Sequence, residues 1–278
     1  MAWVQDYRRV RSEKWVVLIA AIITAAWLVV AAMLLGKLIP SDKLPSYALG
    51  SDQGFLPLQL LSYSFIHLSA FELTYSLIWF WGLVNLCRRC CGPAGFIRIY
   101  SLGAVGGSLI YLLLLWLLGI EKGVNGEIVY GAMLPNVALL GALAVLEPRK
   151  VRLFGNSFGW KFLLIIGWVL SAAIPPFSAR PIDATLPAWL ALVTLLWNGS
   201  ELVIAMLYTR LCWVAIAWVS IDSGCWFGLR LILDGSHKTF LASVLVSNLA
   251  QIAGLSAGVL YGLTERTWKK YEAKLTVS

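Results

Sequence analysis

The sequence predicts an all-α polytopic membrane protein, and two observations about its composition lead to that class. Of its 278 residues, 60% are hydrophobic and only 13% are charged, and the mean hydropathy is +0.80. Soluble domains carry about a quarter charged residues. The apolar residues are also grouped into long runs, and a run of roughly 20 is enough to cross the hydrocarbon layer as a helix.

These runs predict about eight transmembrane helices. Their expected bounds are 15–38, 58–86, 95–118, 128–146, 160–176, 186–208, 211–233 and 239–263. The first run is expected to remain as a transmembrane helix, because it has no small-residue cleavage site of the kind that ends a signal peptide.

The net charge of +8 is explained by membrane topology and not by nucleic-acid binding. The basic residues are scattered over the turns that flank the spans and form no continuous stripe. With eight spans drawn, most of them fall on one side of the membrane: Arg8, Arg9, Arg11, Lys14, Arg88, Arg89, Arg98, Arg149, Lys150, Arg152, Lys161, Arg210, Arg266, Lys269, Lys270 and Lys274. The positive-inside rule then places both termini in the cytoplasm of a bacterial plasma membrane, or in the matrix of a mitochondrial inner membrane.

Three segments combine small residues with polar ones at regular spacing: Gly131-Ala132-Met133-Leu134 followed by Leu139 to Ala142, Asn248 to Gly258, and Phe65 to Ser76. In order and in depth they resemble the active-site helices of the rhomboid intramembrane proteases. The resemblance implies a rhomboid-like helical bundle in which the helices that carry Met133 and Gln251 pack side by side, with Gly131, Gly254 and Gly258 at close backbone contacts. It also implies that Met133 stands at the position of the nucleophile and Gln251 at that of the base.

The same resemblance assigns Glu72 and Ser76 to the positions that hold the oxyanion, and only His67 keeps the family residue. A thioether is not a nucleophile for a carbonyl, and an amide accepts no proton near neutral pH. An ionised Glu72 would place negative charge where an anionic intermediate forms. We therefore expect a non-catalytic member of the family, with degenerate positions in place of an active site.

One departure from the family pattern is large. From Met133 to Gln251 the chain runs 118 residues, about twice the spacing that the resemblance implies. We therefore expect about two extra transmembrane helices before the last one. The chain would form one membrane domain, divided as follows: a basic N-terminus (1–14), a rhomboid-like core (15–146 and 239–263), inserted helices (160–233) and a basic C-terminal tail (264–278).

Four ionisable residues fall inside predicted spans: Glu72, Glu201, Asp222 and Arg230. A charge at the bilayer centre costs on the order of 2.5–3.5 kcal/mol, so such groups usually face protein or water. Glu72 is expected in the rhomboid-like cavity, as a protonated carboxyl or as a contact for a client helix. The other three are candidate contacts with partner subunits, because they lie in helices that a six-helix core does not need.

Three functions are compatible with this pattern. The first is a structural or scaffold subunit of a larger membrane complex, in contact with other membrane proteins and with lipids. The second is a client-binding pseudoprotease, similar to derlins and inactive rhomboids, and the third is a small transporter, which the lack of an internal repeat disfavours. We expect no cofactor and no metal, since Cys87, Cys90 and Cys91 have no second ligand pair nearby.

Overall fold

The structure is a computed structural model that describes residues 2–36, 38, 49, 57–67, 70–117, 131–151, 209–216 and 237–275. Within these ranges the chain is almost entirely helical, which confirms the predicted all-α class. Two described helical segments are long and apolar enough to cross a membrane, Lys14–Leu34 and Gly92–Leu117.

The described helices are α1 (Ala2–Leu35), α2 (Gln59–Ser62), α3 (Ala70–Cys90), α4 (Gly92–Ser101), α5 (Gly107–Leu117), α6 (Met133–Leu146) and α7 (His237–Leu275). A 3-10 turn, Tyr63–Phe65, follows α2, and a π-helical turn, Leu102–Gly106, joins α4 to α5. Two-residue strands β1 (Lys150–Val151) and β2 (Thr209–Arg210) pair antiparallel, and residues 211–216 are helical.

The predicted span 58–86 is broken into two helices. Ile66 is extended, with φ −97° and ψ 118°, and α3 begins only at Ala70. The break is supported by tertiary hydrogen bonds at Tyr63. Its hydroxyl donates to the Ala104 carbonyl at 3.2 Å, and its carbonyl accepts from the Gly131 N–H at 2.9 Å. The second bond takes up the Tyr63 carbonyl, which a continuous helix would otherwise satisfy.

Helices α6 and α7 form the most extensive helix pair in the described part of the chain. They run parallel, because contacts advance in the same direction along both helices: Leu134 with Gly254, Ala138 with Gly258, and Ala142 with Gly262. Every residue of α6 from Leu134 to Leu143 is buried. Small residues let the two backbones approach closely, which is how helices associate in lipid.

The core has two parts. The first core cluster joins α1, α3, α4 and α6 around the buried aromatic residues Trp27, Trp79, Phe80 and Phe96. The second joins α5, α6 and α7 around Tyr111 and Leu134. Apolar side chains on the outer faces of α1 and α5 are exposed, as Ile22 and Trp116 illustrate. Such faces suit a hydrocarbon environment.

The end of the bundle at which α6 finishes carries basic residues. The pairing of Lys150 with Arg210 brings two stretches that are distant in sequence to the same end, where α6 has just finished. Helix α7 ends there too, since it runs parallel to α6. It continues as far as Leu275, so residues 264–275 of the predicted tail extend the helix.

Of the predicted inserted helices (160–233), only residues 209–216 are among the described residues.

Candidate functional site

The predicted nucleophile position is at the first residue of α6. Gly131 has φ 82°, a left-handed conformation that glycine adopts without a steric penalty. Its N–H bond to Tyr63 fixes the turn that leads into the helix. Met133 is half-buried and packs against the first core cluster. The residue at this place therefore contributes an apolar thioether to a packed helix start.

The predicted base position lies in the neighbouring helix. Gln251 is completely buried on α7, next to Ala250 and Ala253. Because Leu134 contacts Gly254, the parallel register places Gln251 level with Gly131 along the helix pair. At a rise of about 1.5 Å per residue, Met133 and Gln251 are within one turn of each other along the axis. They therefore lie at the same end of the pair.

Close packing of the two helices at Gly254 and Gly258, as predicted, is confirmed. A Cβ at Gly254 would lie 2.7 Å from the Leu134 carbonyl oxygen, and one at Gly258 would lie 2.7 Å from the Ala138 carbonyl carbon. Gly131, the third glycine of this prediction, donates its N–H to the Tyr63 carbonyl. Gly141 adds a contact that the sequence analysis missed, since a Cβ there would lie 2.7 Å from the Leu255 carbonyl oxygen.

The predicted oxyanion positions lie on α3. Ser76 is buried, and its carbonyl accepts a hydrogen bond from Asn136 Nδ2 at 3.2 Å. This bond ties α3 to α6 one turn below Met133. Glu72 is four residues before Ser76, so their Cα atoms share one side of the helix. Its side chain lies outside the described part, and its place in the cavity stays a prediction.

Neither Ser64 nor Ser108 forms a nucleophile and base pair with His67. Ser64 Oγ donates to the Leu61 carbonyl at 2.7 Å, and Ser108 Oγ donates to the Ala104 carbonyl. His67 is completely buried and neither of its ring nitrogens makes a hydrogen bond. Activation of a serine needs a base within hydrogen-bond reach. No such contact exists among these side chains.

The thiols at the basic end are packed against one another. Cys90 and Cys91 Sγ are 3.9 Å apart, and Cys90 Sγ also contacts the Leu86 carbonyl at 3.0 Å. Hydrogen bonding to Cys91, together with burial, raises the pKa of Cys90. Contact with Cys87, together with burial, raises the pKa of Cys91. Among the described residues, no three His, Cys, Asp or Glu side chains are placed to hold a metal ion.

The sequence model of the rhomboid domain matches residues 57–191. Over this part, just under half of its length, the chain is similar to the rhomboid-like superfamily. With its apolar helices it is an integral membrane protein. No curated protein and no solved structure matches the chain.

The rhomboid domain match covers three of the degenerate positions, Glu72, Ser76 and Met133, and it ends well before Gln251. The assignment of Gln251 therefore rests on the Gly254 and Gly258 contacts of α7 with α6. Glu201, Asp222 and Arg230 lie outside the described residues. Their assignment as partner contacts stays a prediction.

Two residues of this rhomboid-like site were not singled out from the sequence. Tyr63 connects the turn before α6 to the π-helical turn, and Asn136 connects α6 to α3. The signal for Asn136 was present, because an amide inside an apolar span usually hydrogen-bonds across helices. Tyr63 gave no such signal, since tyrosine is common in apolar spans without a tertiary bond.

Proposed function

We propose that this rhomboid-like membrane protein is non-catalytic and serves as a structural or scaffold subunit of a larger membrane complex. The non-catalytic part of this proposal rests on Met133 and Gln251, which occupy the predicted nucleophile and base positions at the same end of the parallel helices α6 and α7. Neither side chain supplies a nucleophile or a general base at neutral pH. The hydroxyls of Ser64 and Ser108 donate to backbone carbonyls, which adds support.

The scaffold role is supported by charge and by surface. Glu201, Asp222 and Arg230 fall in apolar runs, where an ionisable group needs a polar neighbour. The exposed apolar faces of α1 and α5 suit contact with lipid or with the helices of other subunits. These features favour partner subunits in the plane of the membrane.

The orientation proposed is that of both termini on the cytoplasmic or matrix side. The pairing of Lys150 with Arg210 supports it, because two basic turns then share one end of the bundle. The end of α7, which carries Arg266 and Lys269, lies at that same end. The positive-inside rule assigns such an end to the cytoplasm of bacteria or to the mitochondrial matrix.

The test is to isolate the full chain in a mild detergent and to identify the co-purifying chains. A scaffold subunit is expected in a complex of fixed composition, with its partners in constant ratios. A client-binding pseudoprotease, the second candidate, would instead carry small and variable amounts of many transmembrane chains. A protein that is monomeric under these conditions would contradict the proposal.

A further inference from the structure

The last turns of α7 project beyond the end of the α6 and α7 pair. Because Ala142 contacts Gly262, the parallel register places Leu146, the last residue of α6, level with Arg266. Polar residues follow α6 at once, beginning with Glu147. The edge of the hydrocarbon layer therefore lies near this level, and the part of α7 that follows enters the headgroup layer.

The exposed side chains at the end of α7 lie at the depth of the lipid phosphates. The headgroup layer of one leaflet is about 5–8 Å thick, given a hydrocarbon core of about 30 Å in a bilayer of about 40–45 Å. At about 1.5 Å per residue, Trp268, Lys269 and Tyr271 lie about 3–8 Å beyond Arg266. All four side chains are exposed, so they are accessible to lipid headgroups.

An aromatic pair continues the apolar outer face of α7. Leu260 and Leu263 are exposed within the span, and Tyr271 follows Leu260 by eleven residues, about three turns. The rings of Trp268 and Tyr271 are 6.1 Å apart, and Trp268 Nε1 donates to Glu272 Oε1 at 2.7 Å. Tryptophan and tyrosine are enriched at the headgroup level of membranes. A lipid whose acyl chains lie along the two leucines would bring its headgroup to this pair.

A chain of contacts between α4 and α7 brings further cations to the same level. Exposed Arg98 on α4 donates a hydrogen bond to the Tyr261 hydroxyl, which donates to Glu265 Oε2 at 3.5 Å. Lys269 Nζ is 3.5 Å from Glu265 Oε1. One carboxylate is therefore shared, through Tyr261, between cations of two helices and offsets only one of their two charges.

Acidic and basic residues are separated around the end of α7. Arg266, Lys270 and Lys274 recur every four residues, so their Cα atoms follow one side of the helix. Glu265 and Glu272 are seven residues, about two turns, apart and share a different side. The basic side of this helix end therefore carries a concentrated positive charge.

We infer that the end of α7, together with Arg98, binds the headgroup of an anionic phospholipid of the surrounding leaflet. Guanidinium and ammonium groups are the side chains that bind phosphate best. The basic side also continues the exposed apolar side, since Lys270 follows Leu263 by about two turns. That continuity selects a lipid over an acidic segment of another protein, because only a lipid needs an apolar face and cations on one side. The inference does not depend on the scaffold role.

The test is lipid binding to the full chain in detergent, measured by native mass spectrometry. Phosphatidylglycerol is compared with phosphatidylcholine of the same acyl chains, and the parent is expected to bind phosphatidylglycerol several-fold more tightly. Each cation near an anionic surface contributes about 5-fold in affinity. Arg266→Gln is therefore expected to weaken phosphatidylglycerol binding about 5-fold and to leave phosphatidylcholine binding unchanged. Equal affinity of the parent for the two lipids would overturn the inference.

The matched control is Arg210→Gln. Arg210 is exposed at the same end of the bundle but lies on β2 and not on α7, so its loss is expected to leave both affinities unchanged. Arg266→Lys keeps the charge and is expected to stay within about 2-fold of the parent. An equal loss in Arg266→Gln and Arg210→Gln would show a response to total charge and would refute a site on α7. The same loss in Arg266→Lys and Arg266→Gln would refute recognition by charge.

Discussion

Replacing Gly258 by alanine is predicted to destabilise the contact between α6 and α7. A Cβ at this position would lie 2.7 Å from the carbonyl carbon of Ala138 and 2.8 Å from its Cα. These are backbone atoms of a helix that is buried along almost its whole length, so no side-chain rotation relieves the clash. The two helices would have to separate.

Two opposing effects set the size of the change. Alanine is the better helix former, by about 1 kcal/mol. Overpacking in a close-packed interior costs about 1–3 kcal/mol, and a clash with backbone belongs at the upper end. We therefore expect Gly258→Ala to lose a net 2 kcal/mol, roughly, of the free energy of unfolding.

The assay is equilibrium unfolding in a mixed detergent, followed by loss of helical circular dichroism. Gly36→Ala is the matched control, because the nearest atoms to a Cβ there are at 3.3 and 3.7 Å and the site is exposed. The control is expected to stay within about 0.5 kcal/mol of the parent. If Gly258→Ala is as stable as Gly36→Ala, or more stable than the parent, the close approach of α6 and α7 is refuted.

Three further predictions concern chemistry and partners. The purified protein should neither cleave a generic rhomboid transmembrane substrate nor react with a serine-directed phosphonate, because Met133 supplies no nucleophile and Gln251 no base. Phosphonate labelling of the folded protein that is lost on denaturation would contradict this. Cys90 and Cys91 should be alkylated more slowly by iodoacetamide than exposed Cys212 at near-neutral pH, and faster as the pH rises, because a raised pKa lowers the fraction of reactive thiolate. Mass spectrometry of each cysteine checks this, and faster alkylation of the buried pair would refute it. Glu201→Leu or Asp222→Leu should release the protein from its complex while the isolated fold stays intact, because leucine suits lipid but makes no hydrogen bond to a polar neighbour. Normal co-purification of both variants would contradict the assignment of these residues as partner contacts.

The sequence predicts the helix order and the α6 and α7 contact because both depend on local patterns. Apolar length identifies a span, and a glycine at every fourth position, as in Gly254 and Gly258, marks a face that another backbone can approach. The break before α3 was not predictable in the same way. It depends on partners for Tyr63 that are 41 residues away at Ala104 and farther still at Gly131. No feature of the sequence 58–86 itself predicts those bonds.

The long interval between Met133 and Gln251 leaves the geometry of the helix pair in place. Leu134, Ala138 and Ala142 meet Gly254, Gly258 and Gly262 in steps of four residues on both helices. A parallel contact of this length requires α7 to begin at the same end of the bundle as α6, whatever number of residues connects them. The degenerate positions therefore lie at one end of a close-packed pair. At the two positions that the rhomboid resemblance assigns to the nucleophile and the base, this chain carries a thioether and an amide, which is why we predict that it does not cleave.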